Sequence, residues 1–422
     1  MSMTITEKVL AAHAGKNGVS PGDIVNCSVD FCFGNDITAP IAIREFEKIA
    51  SGIKVFDKDR VGMIPDHFVP NKDIKSAEQA KVMREFSRRQ NLKWFFEVGC
   101  MGVEHAFFPE QGIVTAGQVV VGADSHTCTY GALGAFSTGI GSTELAGVMA
   151  TGELWFKVPE SQLFTFSGRP SKFICGKDYI LKIIGDVGVD GSLYKAMEFT
   201  GPGIDALSMD SRMTICNMAI EAGGKSGIVA ADEKTKKYVE AAGPKTGKPI
   251  YYYSDKDASY CEKFDYDASQ IEPMVSAPHL PSNAKPARDY SSVEIDQVVI
   301  GSCTNGRMED LTTAHSILKG KKVNSSLRVI VIPATQKIFL EITENGMMAD
   351  FVKAGAIVST PTCGPCLGGY MGVLAEGEKC VSTTNRNFVG RMGSPKSEVF
   401  LASPATAAAS ALTGKITDPR DI

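Results

Sequence analysis

The chain has no run of 18 apolar residues, so no segment reads as a membrane-crossing helix. It also lacks a basic stretch: Lys and Arg total 44 against 48 Asp and Glu, and nowhere do they cluster into a cationic face. The net charge of −4 argues against a dedicated nucleic-acid binder and against a protein held on anionic lipid. The opening residues, MSMTITEKVLAAHAGK, lack the basic-then-apolar order of a secretory leader; Thr4 and Glu7 instead have the spacing of a helix capping box. Without a leader, the 11 cysteines point to a reducing cytoplasm, and their odd number fits poorly with a complete disulfide framework. Cys27, Cys32, Cys100, Cys128, Cys175, Cys216, Cys261 and Cys380 are expected to be small buried apolar residues. There is no internal repeat and no low-complexity tract.

What is present is an α/β pattern. At 422 residues the chain is long for one core, and two composition shifts divide it. One lies near FKVPESQLF, where a region rich in Gly and Ala gives way to strand-like alternation; the other is the Pro-rich VSAPHLPSNAKPARDY, residues 275–290, read as an extended connector. The expected domains are 1–159, 160–290 and 291–422. In the last, strands are expected over 293–300, 327–334, 355–361 and 379–385, with helices over 308–320 and 336–346. Strands alternating with helices imply a parallel sheet, whose ligands sit beyond the carboxyl ends of its strands. Cys303, the pair Cys363 and Cys366, and Arg386 with Arg391 each follow an expected strand, so three distant loops should converge on one sheet edge.

TCGPC spells a redox dithiol, yet Cys366 is followed by Leu367-Gly368-Gly369, and each Gly weakens a helix start by roughly 1 kcal/mol relative to Ala. A four-cysteine zinc site would need a second close pair, and Cys363/Cys366 is the only C-x-x-C. Three converging thiolates suit a four-iron, four-sulfur cluster with one iron lacking a cysteine. Such an iron is a Lewis acid toward hydroxyl or carboxylate oxygens. In GALGAFSTGIGSTELAG, Glu144 stands where a dinucleotide fingerprint wants glycine, so the glycines are read as allowing close packing.

The strings GSCTNGR, PTCGPCLGG, STTNRNFVGR, VGADSHTCTYGALGAFSTGIGSTELA and MTICNMAIEAGGKSGI resemble the aconitase superfamily, in order and over essentially the whole chain. Within it, NDITAPIAI and KVPES are most similar to the family of 3-isopropylmalate dehydratase large subunits; homoaconitase and 2,3-dimethylmalate dehydratase large subunits are near relatives. The resemblance implies three aconitase-like α/β domains, parallel and mixed sheets flanked by helices, with a cluster site at the domain interface. It implies a hydro-lyase with a [4Fe-4S] cluster on Cys303, Cys363 and Cys366, interconverting 2- and 3-isopropylmalate through isopropylmaleate in leucine biosynthesis. Homoaconitase or 2,3-dimethylmalate activity is the alternative. A more distant one is an RNA-binding regulator, since some relatives bind RNA without the cluster; the acidic balance speaks against it.

Such a reaction needs an acid for the leaving hydroxyl, a base for the neighbouring C–H and cations for the carboxylates. Arg386 and Arg391 can supply bidentate carboxylate contacts. The family pattern implies that Asp66 and His67 serve the leaving hydroxyl, that Asp124 pairs with His105 and Glu221 with His126, and that Ser125 and Asn217 lie near cluster or substrate. His13, His279 and His315 match no motif and are read as structural. Two departures matter. Pro40 stands where the aconitase pattern has a glutamine, which argues against citrate as substrate. The further domain that carries the serine base in aconitases is also missing, so a separate small subunit is expected to complete the site.

Overall fold

The computed structural model describes residues 2–50 and 52–422, which form two compact units: residues up to Phe166 together with Ser192–Tyr266, and Ser167–Gly191 together with Asp267–Ile422. The three-part division expected above cuts the chain differently, because the second span expected as a domain contributes to both units.

In the first unit a five-stranded parallel sheet runs in the order Trp94–Phe95, Val61–Ile64, Phe31–Asn35, Val119–Gly122, Phe136–Gly139. Its central strands are buried throughout, as expected for apolar runs covered on both faces. The covering helices include Ala39–Ile49 and Ser142–Thr151, whose Ala42, Phe46, Leu145 and Met149 join one core with Val61, Met63 and Val121. The first helix, Ile5–His13, is closed by the expected box: Thr4 N donates to Glu7 Oε2 (2.7 Å) and Glu7 N to Thr4 Oγ1 (3.4 Å). A four-stranded sheet, in the order Ser226–Val229, Ala196–Thr200, Ser161–Ser167, Glu262–Asp267, belongs to the same unit. Close packing explains one glycine of the Gly-rich stretch directly. A Cβ on Gly131 would lie 1.7 Å from the Gly227 carbonyl oxygen, so only glycine lets the 3-10 helix Ser125–Leu133 meet the strand Ser226–Val229.

The second unit is built on seven strands in the order Ala284–Pro286, Met274–Ser276, Glu398–Ala402, Lys379–Ser382, Gln297–Ile300, Arg328–Val331, Ile357–Val358. The five from Glu398–Ala402 onward are mutually parallel. Helices Met308–Leu318 and Gln336–Glu344 fall where the sequence places them. The Pro-rich stretch is not a free connector: Met274–Ser276 pairs antiparallel with Ala284–Pro286 and with Glu398–Ala402. Its prolines 278 and 281 fall in the turn between these short strands, where no ladder donor is needed. Of the eight cysteines expected in the interior, Cys27, Cys32, Cys128, Cys216 and Cys380 are buried and Cys175 is half-buried. Cys100 and Cys261 are exposed, a correction: both sit in irregular segments rather than on an apolar face. Among the described residues no helix is long and apolar enough to cross a membrane.

Candidate functional site

In the first unit the acid–base residues sit just past the carboxyl ends of the parallel strands. Asp36 follows Phe31–Asn35, Asp66 and His67 follow Val61–Ile64, and Asp124 to His126 follow Val119–Gly122; His105 lies in the first turn of the helix Glu104–Glu110. The structure places all three imidazole–carboxylate pairs within hydrogen-bonding distance. His67 Nδ1 is 2.6 Å from Asp66 Oδ1, His105 Nε2 is 2.9 Å from Asp124 Oδ1, and His126 Nε2 is 2.8 Å from Glu221 Oε1. All three rings are buried.

The pairs are not electrostatically alike. Burial pushes the His67 imidazole down, but the Asp66 and Asp36 carboxylates outweigh it and hold the ring well above the ordinary histidine value. His67 is therefore an imidazolium at neutral pH, the state a general acid requires. Burial also lowers His105, and there Asp124 does not make up the loss, so this ring stays neutral. Its Nε2–H donates to Asp124, leaving Nδ1 to accept from the Tyr130 hydroxyl at 3.2 Å. Burial pushes the Asp124 carboxylate up, yet hydrogen bonds from His105 and from His126 hold it well below its usual range. Ser125 opens the 3-10 helix that Asp124 caps, and Asn217 is buried with its Nδ2 donating to Thr129 Oγ1 at 2.9 Å.

Two carboxylates in this network escape sequence reasoning. Asp36 Oδ1 accepts from the backbone N–H groups of Asp66 and His67 (3.0 and 2.9 Å) and Oδ2 from Phe68 (2.8 Å), so Asp36 shapes the loop that presents the pair. Glu104 is buried, with its backbone N–H on Asp66 Oδ2 at 2.8 Å. The only signal for either was position: Asp36 directly after a strand, Glu104 directly before a histidine.

In the second unit the loops after Gln297–Ile300, Ile357–Val358 and Lys379–Ser382 carry Cys303, the Cys363/Cys366 pair, and Asn385 with the two arginines. The three cysteines are buried, at 5%, 6% and 2% exposure. One carboxamide links two of them: Asn385 Nδ2 donates to Cys303 Sγ at 3.4 Å, and its Oδ1 lies 3.5 Å from Cys366 Sγ. Arg391 Nη2 stands 3.8 Å from Cys366 Sγ, and both arginines are half-buried. Lys177, from the helix Gly176–Val187, is fully buried and was missed: its Nζ donates to Thr383 O (2.8 Å), Thr384 O (2.6 Å) and Asn305 Oδ1 (3.3 Å). It thereby ties the Cys303 loop to the Asn385 loop and sets an ammonium beside them. Burial lowers its pKa to about 8.

These residues fit an iron–sulfur cluster better than a single ion. Tetrahedral zinc, at about 2.3 Å from sulfur, draws its thiolates to within about 4 Å of each other. Among the described residues, the three sulfurs do not all lie within 4.8 Å of one another. Buried thiols on separate loops, with amide, guanidinium and ammonium donors beside them, suit a larger group of negative charge held by three thiolates.

Two of the three histidines outside the motifs have structural partners: His13 Nε2 meets Asp30 at 2.7 Å and His315 Nε2 meets Asp350 at 2.9 Å.

Residues 7–290 and 283–414 match the aconitase family (aconitate hydratase). The 3-isopropylmalate dehydratase large subunit of Clostridium botulinum (strain Alaska E43 / Type E3) is 60% identical over 99% of each chain. That of Moorella thermoacetica (strain ATCC 39073 / JCM 9320) is 59% identical over 100% of each. Among solved structures, Thermococcus kodakaraensis aconitase X in its holo form superposes with a TM-score of 0.52 at 12% identity, over 92% of this chain and 94% of that one; this likeness is one of fold alone.

Proposed function

Because the chain belongs to the aconitase family, we propose that it is the large subunit of a hydro-lyase that interconverts 2-isopropylmalate and 3-isopropylmalate through isopropylmaleate, in leucine biosynthesis. The observation that carries this reading is the Asp66–His67 pair, an imidazolium held among carboxylates, in a chain 60% identical end to end to such a subunit.

Dehydration removes a hydroxyl from one carbon and a proton from its neighbour; hydration returns them in the opposite sense. His67, positioned by Asp66 and Asp36, donates the proton that lets the hydroxyl leave as water, and it takes a proton back from water in the reverse step. Neutral His105, its tautomer fixed by Asp124 and Tyr130, orients the polar end of the substrate, while His126 is held by Glu221. Ser125 and Asn217 contribute polar contacts, and Arg386 and Arg391 grip carboxylates. Cys303, Cys363 and Cys366 would hold a [4Fe-4S] cluster. When bound, it supplies a Lewis acid that polarises the substrate's hydroxyl and carboxylate oxygens. A separate small subunit supplies the base for the C–H.

The test is anaerobic. The chain is reconstituted with iron and sulfide, joined to a small subunit, and followed by the ultraviolet absorbance of the unsaturated intermediate. 2-Isopropylmalate, homocitrate and 2,3-dimethylmalate are compared. Fastest turnover of 2-isopropylmalate is expected. Preference for either other acid would move the substrate within the class, and no dehydration of any would overturn the reading.

A further inference from the structure

One group in the first unit has no role in the chemistry above and is hard to account for as structure. The Glu104 side chain is 1% exposed. Its Oε1 accepts from Asn35 Nδ2 at 3.0 Å and lies 3.5 Å from His105 Nε2. Its Oε2 is buried and has no hydrogen-bond partner among the described residues. A buried oxygen left without a partner is costly, and a buried carboxylate oxygen more so.

The surroundings do not favour a fourth negative charge here. Asp66 receives the Glu104 backbone N–H and pairs with His67; Asp36 lies 3.7 Å from the His67 ring; Asp124 is shared by His105 and His126. His105 is neutral, so the one cation established next to Glu104 is His67, already paired with Asp66 and Asp36. Burial first, then the Asp66 and Asp124 carboxylates, push Glu104 well above the ordinary carboxylate range against the pull of His67 and the Asn35 amide.

We propose that Glu104 stands as a neutral carboxylic acid whose Oε2–H donates to an oxygen of the bound hydroxyacid, a binding role that rests on the hydro-lyase reading above. The division of labour follows from geometry. Oε1 is the carbonyl oxygen, held by Asn35, and Oε2 is the hydroxyl oxygen, lacking a protein acceptor. A dicarboxylate entering a site already rich in carboxylates meets repulsion from every ionised group and attraction from a neutral donor. Glu104 supplies such a donor beside the general acid. Because the reacting bonds are not its concern, its loss should weaken binding more than turnover.

The experiment is infrared spectroscopy on the full chain with its small subunit, comparing wild type with Glu104→Gln. Wild type at pH 8 should show the carbonyl band of a protonated carboxyl. Glu104→Gln should remove it, and adding 2-isopropylmalate should shift it. Kinetically, Glu104→Gln keeps an N–H donor and should hold kcat/KM within about threefold, while Glu104→Leu should raise KM roughly 10- to 100-fold with kcat nearly unchanged. Should Glu104→Gln fail to fold, Glu104→Asp keeps the carboxyl and should move the band instead of removing it. An absent band at pH 8, a band indifferent to 2-isopropylmalate in an active enzyme, or equal damage from Gln and Leu overturns the proposal. So does a band abolished by Mg2+, since Glu104, His105 and Asp124 have ligand atoms within 4.8 Å of one another and would then be a cation site. Failure of the reading of the function is a separate result: wild type then dehydrates no hydroxyacid, whatever its infrared spectrum.

Discussion

The two units offer chemistry from the same place, the carboxyl ends of parallel strands, but they hold it in opposite ways. In the first, the reactive side chains position one another: Asp36 fixes the Asp66–His67 loop, Asp124 bridges His105 and His126, and Glu221 closes the series. In the second, Cys303 and Cys366 make soft, long contacts to Asn385 and Arg391, and strong bonds run from Lys177 to the backbone carbonyls of Thr383 and Thr384. One set carries its protonation pattern ready-made. On the reading proposed above, the other is a donor-rimmed cradle for a bound group. Preorganisation here means charge pairing in one unit and loop tethering in the other.

The comparison is broken most severely at the cysteines. Cys303→Ser should abolish stable iron and sulfide binding and cut activity by roughly 10³-fold or more, several kcal/mol of Lewis-acid stabilisation being lost. Iron analysis beside the assay checks both, and an iron-replete, active variant would refute the cradle. Next comes the acid. Asp66→Asn should lower kcat roughly 10²- to 10⁴-fold with little change in KM, read by steady-state kinetics.

Lys177→Met attacks the tether instead. It leaves two buried carbonyls and the Asn305 amide oxygen without their donor, for a loss of about 2–4 kcal/mol in thermal or denaturant unfolding. The pH dependence gives a second readout. With the folded pKa at about 8 and the ordinary lysine value at 10.5, the unfolded chain binds more protons between those values. Wild-type stability should therefore gain from Lys177 as pH rises through that window, and the variant should lack the gain. The smallest effect is at the first helix, where Thr4→Ala should cost about 1 kcal/mol by removing the cap while leaving activity intact.

Much of this was legible in the sequence, for reasons that can be named. The strands after residue 290 are short apolar runs ended by glycine or polar loops, and the cysteines follow them directly, so their convergence follows from the handedness and spacing of a parallel sheet. The Thr4 box and the Asp66–His67 pair are local, and local spacing reveals them. Lys177 was hidden because its burial arises from contacts more than 120 residues away in sequence; in GKDYILK it reads as an ordinary helix start. Asp36 and Glu104 meet the Asp66–His67 loop across about 30 to 40 residues of sequence, and only the fold brings that loop to them. The hairpin from 274 to 286 was read as a connector because prolines dominate its composition, although its short ladder avoids them except at its end.

The most direct test of the account is the alkaline limb of kcat for wild type and Asp66→Asn. In wild type, the Asp66 and Asp36 carboxylates keep His67 protonated well above pH 6.5, so kcat should persist past that value and fall only as pH climbs through the raised pKa. Stability from the same pairing is complete below the ordinary histidine value and fades over the same rise. In Asp66→Asn the limb should move to lower pH along with the loss of rate. A limb that stays in place when Asp66 loses its charge would contradict the account, because His67 would not then be the acid.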